Sequence, residues 1–448
     1  MEYLPDSVMY ATAEMKEVSR NRFKLETVSS DTAGANRIVT FNLPENAMLD
    51  MKSLRFFMDV ACSGSSANGG AGDEVFGKLP QNASSLLSRV EVYINGVQVQ
   101  QGASEYNTIC QAMRLGQSNI DKDNSTDRAL NHSYITADDA NDDETICVNE
   151  WRGFLGEAST RYINTGLLGQ IQVRITFAGN HVLVPKQTGV DLGVNLSADA
   201  KLNAALMTYS VSNMSFTVDS VSLDNMYNAM LRKRLESGGL ELNYKEYYSF
   251  QLDGINSSAS STRFSLSSKC IDRLYALYRD ANYTQTGIRS FALPNASGVS
   301  AYSSNALRFR SYSGDTKKVG NARWNWSVNN VKYPQYQASW VDGLADVGYV
   351  QDKVSHENNG TLITSKESYN DGKFVFPLAL CLPTGKGVAV QSGYNSSGVN
   401  TQMVYQSSGQ TIPGADGETN SGEISCFVIA ETVAKLMIQL GRDLAVSW

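Results

Sequence analysis

Long apolar runs are missing from this chain. The longest, Ser425 to Leu440, is broken by Glu431 and Lys435 and is too short to cross a bilayer, so no spanning segment is expected. Charge is sparse: charged residues make up 19% against 42% hydrophobic, a balance that excludes bulk disorder. Nine prolines exclude a Pro-rich or collagen-like chain. At roughly 100–200 residues per domain, 448 residues predict two or three domains whose cores need no disulfide or metal.

Signatures of chemistry are equally scarce. The three histidines, His132, His181 and His356, stand in no HExxH, HxH or HxxxH spacing. The six cysteines (Cys62, Cys110, Cys147, Cys270, Cys381 and Cys426) form no CxxC pair, which removes a zinc knuckle or a redox motif. Cys110 and Cys426 lie in apolar stretches, where a thiol acts as a small hydrophobe. Gly385-Lys386-Gly387 lacks the upstream glycine and the following Ser or Thr of a phosphate loop. Neither a GxSxG elbow nor a GxGxxG after a strand occurs. Adjacent acids such as Asp138-Asp139 have the chemistry of a glycosidase pair, yet in a polar loop they read as solvated. The 22 tyrosines and five tryptophans, set in alternating strands, read first as core rather than as a sugar-binding face. We therefore expect no catalytic, cofactor-binding or metal-ligating residues, and a structural or binding role.

A basic field is absent as well. The formal net charge is -7, and ten acids against three bases (Lys122, Arg128, Arg152) between Asp121 and Glu157 account for all of it. Binding to a phosphate backbone is not expected. The acidic segment reads as a solvated loop. Asp121, Asp123, Ser125 and Asp127 have the alternate spacing of a calcium loop, but Thr126 replaces its glycine and His132 its bidentate Glu. Met1 to Arg20 has neither a cationic start nor an apolar core, so no signal peptide is expected and synthesis in a reducing interior follows. The N-x-S/T sequons, Asn82 and Asn395 among them, then read as chance.

Strand patterns dominate what remains. Val90, Val92 and Ile94 alternate with polar positions, Asn95-Gly96 supplies a turn, and Val97 and Val99 resume the alternation. Asn-Gly between two such runs predicts a hairpin. Further strands are predicted at Phe23–Val28, Arg37–Leu43, Leu54–Cys62, Ile171–Phe177, Tyr209–Leu223, Leu240–Leu252, Arg263–Leu266, Arg323–Val328, Phe374–Cys381 and Cys426–Leu440. Trp324, Trp326 and Val328 should face one core. Leu436–Leu440, Gly441-Arg442-Asp443 and Leu444–Trp448 predict a closing hairpin.

Two helices are predicted. Ser104 can cap one carrying Tyr106, Ile109, Cys110 and Met113, stopped by Gly116. Asp224 can cap another with Met226, Tyr227, Met230, Leu231 and Leu235 on one face, closed by Arg232-Lys233-Arg234 and Gly238-Gly239. The stretches Ser63–Asp73, Asp253–Thr262, Asn295–Asn305 and Ser392–Gly422 read as long polar loops. Many short strands with long excursions describe a β-sandwich or jelly roll, and the second helix divides the chain near its midpoint.

Four stretches resemble the double jelly-roll major capsid proteins of double-stranded DNA viruses, the adenovirus and tectivirus lineage. The closest look is to polinton-like virus, virophage and nucleocytoplasmic large DNA virus capsid proteins. Leu86-Leu87-Ser88-Arg89-Val90-Glu91-Val92-Tyr93-Ile94-Asn95-Gly96 is similar to a strand pair of the first roll, with the family's short helix at Glu105–Leu115. Val211 to Leu223 with Asp224-Asn225-Met226-Tyr227 resembles that roll's last strand running into the linking helix. Ile271 to Arg279 and Trp324 to Pro334 resemble segments of the second roll.

The resemblance implies a mainly β protein of two consecutive eight-stranded antiparallel jelly rolls with short helices and long loops. It divides the chain into an N-terminal arm (1–20), a first roll (21–223), a linking helix (224–239) and a second roll (240–448). It further implies a homotrimer forming a pseudo-hexameric capsomer that tiles an icosahedral virion shell. Expected partners are other capsomers, penton and minor capsid proteins, and an internal membrane where one exists. No cofactor and no sequence-specific nucleic-acid binding are implied, and assembly is expected inside the host cell. The acidic segment is expected to face outward or toward a neighbouring capsomer. Leu4, Val8, Ala11 and Met15 have helical spacing, which leaves two readings open for the arm, one ordered by a partner and a frayed terminus. The alternative is a β-sandwich adhesin or glycan-binding surface protein of a phage or virus. A polysaccharide-active enzyme would need a carboxylate pair that the sequence does not supply.

Overall fold

The computed structural model describes residues 17–63, 75–79, 83–117, 143–187, 207–223, 225–255, 259–280, 323–339, 342, 375–380, 393–398, 401–408, 424–439, 441 and 443–448. The first half contributes β1 (Glu17–Glu26), β2 (Ala33–Gly34), β3 (Ile38–Asn42), β4 (Met48–Ser63), β5 (Val75–Lys78), β6 (Leu87–Ile94), β7 (Val97–Gln100), β8 (Asp143–Val148), β9 (Tyr162–Asn164), β10 (Ile171–Phe177), β11 (Val184–Gln187) and β12 (Thr208–Leu223). Its helices are α1 (Tyr106–Gln117), α2 (Phe154–Glu157) and α3 (Thr165–Leu168), and α4 (Asn225–Ser237) follows. The second half contributes β13 (Leu240–Ile255), β14 (Ala259–Phe264), β15 (Ile271–Asp280), β16 (Arg323–Val328), β17 (Val331–Ser339), β18 (Val375–Ala379), β19 (Met403–Ser408), β20 (Ile424–Ile438) and β21 (Leu444–Ser447).

Both halves are wired alike. The first has sheets ordered β1-β12-β4-β8 and β3-β10-β6-β7; the second has β13-β20-β15-β18 and β14-β19-β16-β17. Ranked by appearance, the eight main strands of each half pair as 1-8-3-6 facing 2-7-4-5. That is the jelly-roll wiring, present twice. Every pairing between these strands is antiparallel.

Alternation sets which side each strand buries. Val90, Val92 and Ile94 are fully buried, and Asn95 and Gly96 turn the hairpin at φ 49° and 81°. In the first core Phe41, Phe56 and Phe216 meet with ring centroids 4.6–5.4 Å apart. In the second, Trp326 packs on Tyr405 at 4.8 Å, and Trp324 and Val328 share its buried side as expected. The closing hairpin also forms, pairing Leu436 with Val446. Pro377 lies in β18, an edge strand, where its missing N–H costs no ladder bond.

Several expectations need correction. Met403–Ser408, read as part of a polar loop, is the strand β19 between β14 and β16, with Met403 and Tyr405 fully buried. Asp253–Ile255 extends β13 and Ala259–Thr262 belongs to β14, because their backbones complete ladders with β20 and β19. Asp143–Val148 of the acidic segment is β8, paired with β4, rather than a solvated loop. Ser104 does not act as the predicted cap: its hydroxyl sits 3.2 Å from that of Ser249, and the first turn starts at Glu105 with φ 64°. Helix α1 runs through Gly116 to Gln117. On α4, Leu235 is buried but Met230 stays 45% exposed; it lines a groove of about 320 Å³ with Leu168, Leu240 and Ile438. Gly239 at φ 90° ends that region where an added Cβ would lie 2.8 Å from the Ile438 carbonyl.

The Asp224 cap, Cys381, the loops 64–73 and 295–305, residues 1–16 and the acidic residues 118–142 lie outside the described residues. Among the described residues, no helix is long and apolar enough to cross a membrane.

Candidate functional site at the junction of the two rolls

The most elaborate polar architecture sits where the rolls meet. From the first roll come the rim of β7, helix α1 and helix α2; from the second come β13, β15 and β20. Strand alternation puts Tyr247, Tyr275, Leu277, Phe427 and Ile429 on the outer face of the second roll's sheet, and α1 covers them with Ile109, Ala112 and Met113. Hydrogen bonds flank this seam. Tyr244 OH donates to the Val99 carbonyl at 2.7 Å, and the Gln101 N–H donates to Glu246 Oε1 at 3.0 Å. Ser249 Oγ donates to the Ser104 carbonyl at 3.0 Å, and the Ser159 N–H donates to the Asn243 carbonyl at 2.7 Å.

An ion cluster lies under the same cover. Glu431, on β20, receives Lys245 from β13 and Arg273 from β15, the latter at 3.5 Å. Tyr247 OH donates to Glu157 Oε2 at 2.8 Å, and Glu157 Oε1 pairs with Arg152 at 3.1 Å. Burial alone would push the Glu431 carboxyl up; the cations Lys245 and Arg273 outweigh it and hold the group below its ordinary value. Glu246 has no such cation. Burial pushes it up to about 8, against a weaker pull from the Gln101 N–H, and its Oε2 has no hydrogen-bond partner.

The first roll carries a matching cluster on its own outer sheet face. Asp219 of β12 accepts from Arg22 Nε at 2.7 Å and from Arg20 Nη1 at 3.1 Å, both on β1. Asp50 of β4 accepts from Arg161 Nη2 at 2.7 Å and Nε at 3.0 Å, and from Arg20 Nη1 at 3.1 Å. The bond from Arg22 is the main influence holding Asp219 down. For Asp50, burial opposes ionisation and the bonds from Arg161 and Arg20 overcome it. In both rolls, therefore, an acid on the eighth strand is pinned by a cation from the first. Among the described residues, a helix covers the second roll's cluster and none covers the first's.

The five described cysteines are buried and outside any disulfide, and burial pushes Cys110 and Cys426 up to about 12, away from thiolate chemistry. Among the described residues, no three His, Cys, Asp or Glu side chains are grouped to hold a metal ion. His181 lies in a short turn at Asn180–Val182; His132, His356, Asp138-Asp139, the rejected calcium loop and Gly385-Lys386-Gly387 lie outside the described residues. Sequence reasoning missed both ion clusters.

No protein-family model and no curated protein matches the chain. Solved structures do. The PBCV-1 virus capsid superposes with a TM-score of 0.61 at 14% identity, over 96% of this chain and 96% of that one. A chain of the Sputnik virophage gives 0.54 at 11% identity, over 96% and 88%. The Faustovirus major capsid protein gives 0.53 at 12% identity, over 95% and 91%. This chain has the double jelly-roll fold. The double jelly roll is shared nearly end to end with capsid proteins of large DNA viruses and a virophage.

Proposed function

We propose that this double jelly roll is the major building protein of an icosahedral virus shell, three copies forming a pseudo-hexameric capsomer. One observation carries the reading: a single wiring occurs twice in one chain, and its two copies are fused side by side through a dedicated seam. Three such chains place six similar prisms around one axis, the simple way to a hexagonal tile. The likeness to three viral capsid structures over more than nine-tenths of this chain supports it.

The role is structural rather than enzymatic. The protein works in the virion shell after assembly in the host cell, against other capsomers, penton and minor capsid proteins, and a membrane where the virus has one. The division at the linking helix, with rolls on either side, is part of the same proposal, as are the arm and the outward-facing acidic segment. Negative-stain images of the purified protein test it. Hexagonal outlines with six lobes support the capsomer, whereas single two-lobed particles that bind saccharide would favour an adhesin.

A further inference from the structure

Between helix α4 and the two rolls runs a groove of about 320 Å³. The helix turns one stripe toward it, Tyr227, Met230, Leu231 and Arg234, at the i, i+3, i+4, i+7 spacing of a face that packs against a partner. Leu168 of the first roll and Leu240 and Ile438 of the second share the lining. Among the described residues nothing fills the groove, and Met230 is left 45% exposed. Thr160 lines it too, and its buried Oγ1 has no hydrogen-bond partner. Apolar side chains and an unmet polar atom around one concave surface mark a place for an occupant.

We propose that the occupant is the arm of the same chain, residues 1–16, laid antiparallel along α4 with Leu4, Val8, Ala11 and Met15 in the groove. The point where the arm joins the fold selects it. Glu17, the residue after it, pairs with Leu223 of β12, and α4 begins two residues beyond Leu223. The arm therefore leaves the fold one strand spacing, about 4.8 Å, from the strand that runs into the helix. At about 1.5 Å per residue, a helix from Leu4 to Met15 is roughly 17 Å long, against roughly 20 Å for the 13 residues of α4. Pro5 falls in the first turn of such a helix, where its missing N–H breaks no bond. The apolar stripe of the arm then lies beside that of α4, as an amphipathic helix lies in a groove.

Charge fits the same placement. Residues 1–16 carry three acids, Glu2, Asp6 and Glu14, against one base, Lys16. Helix α4 carries three bases, Arg232, Lys233 and Arg234, against one acid, Glu236. The antiparallel arrangement brings Glu2 and Asp6 toward the end of α4 where Lys233 and Arg234 are exposed, and Glu14 toward its electropositive start. Glu241, the acid in the lining, is paired with Lys435 at 3.4 Å. Because the lining comes from both rolls and the helix between them, a seated arm ties all three together. The contact is made within one chain and does not depend on how many copies assemble.

Hydrogen exchange of the full chain, read by mass spectrometry, tests the placement. In wild type the amides of residues 6–16 should exchange about tenfold or more below the rate of a free peptide of that sequence, with those of α4 shielded alongside. Met230→Glu puts a charge into the groove at a position that is already 45% exposed. It should return residues 6–16 to the free rate while melting stays cooperative. A wild-type arm at the free rate overturns the inference, and if α4 is still shielded the groove belongs to another occupant. An arm that stays shielded in Met230→Glu overturns it as well. Val8→Cys with Met230→Cys, treated with oxidised glutathione, shows whose arm is seated. A chain of 48.9 kDa with a disulfide between positions 8 and 230 is expected on a denaturing gel and peptide map. Twice that mass would make a second copy's arm the occupant, and it or the absence of a cross-link overturns the placement within one chain. Should Met230→Glu fail to melt cooperatively, Val8→Asp with Ala11→Asp, which alters only the arm, replaces it with the same outcomes.

Discussion

The two rolls repeat one wiring and differ in what lies against their outer sheets. The second roll's face holds Tyr247, Tyr275, Leu277, Phe427 and Ile429 under α1, with Glu431 pinned beneath. The first roll's face holds Asp50 and Asp219, both buried, beneath three arginines that solvent reaches. A face covered within its own chain can be apolar from the moment it folds. The first roll's face keeps charge at its surface, which limits exposed apolar patches on the single chain. One wiring thus carries an apolar outer face in one roll and a charged one in the other.

Breaking the covered cluster should have the largest effect. Glu431→Ala strands Lys245 and Arg273 under α1 and should cost about 3–5 kcal/mol in chemical denaturation. A loss below about 1 kcal/mol would mean that the covered and open clusters are energetically alike. Met113→Ala, on the apolar seam, should cost about 2–4 kcal/mol through lost burial and a residual cavity.

Glu246 sharpens the comparison through pH. Its buried carboxyl titrates near 8, so between the ordinary carboxylate range and about 8 the folded chain holds a proton that the unfolded chain releases. Stability should therefore fall as pH rises through that window. Glu246→Gln keeps an acceptor for the Gln101 N–H and should flatten the slope. Thermal melts should find it near neutral at pH 5 and stabilising by about 2 kcal/mol at pH 9. An unchanged slope would place the titration elsewhere. The smallest effect is expected on the open face: Arg22→Ala should cost a single chain less than about 1 kcal/mol, since the Arg22 side chain is 58% exposed and Arg20 still pairs with the buried Asp219. A loss as large as that of Glu431→Ala would contradict the distinction between the faces.

Much of the frame was legible in the sequence because strand signals are local. The alternating run Val90 to Val99 with its Asn-Gly turn and the Trp324–Trp326–Val328 face each declare themselves within about ten residues, whereas Ile271 to Arg279 was legible only through the family resemblance. Strand β19 did not, since Met403-Val404-Tyr405 is short and embedded in serine and glycine; its partners β14 and β16 make it a strand. Asn329-Asn330, both at positive φ, turn the β16–β17 hairpin, and the Asn-Asn pair was a readable signal that went unused. The ion clusters had no local signal. Arg22 and Asp219 are 197 residues apart and Lys245 and Glu431 186, so only the folded wiring brings them together.

The central claim is the proposal that three copies of this chain make one closed capsomer. Its most direct test is sedimentation equilibrium of the wild-type protein across protein concentration and from low to high salt. The account predicts a discrete species of three times 48.9 kDa, with no open polymer. A single chain under all conditions, or an indefinite polymer in place of a trimer, would contradict it.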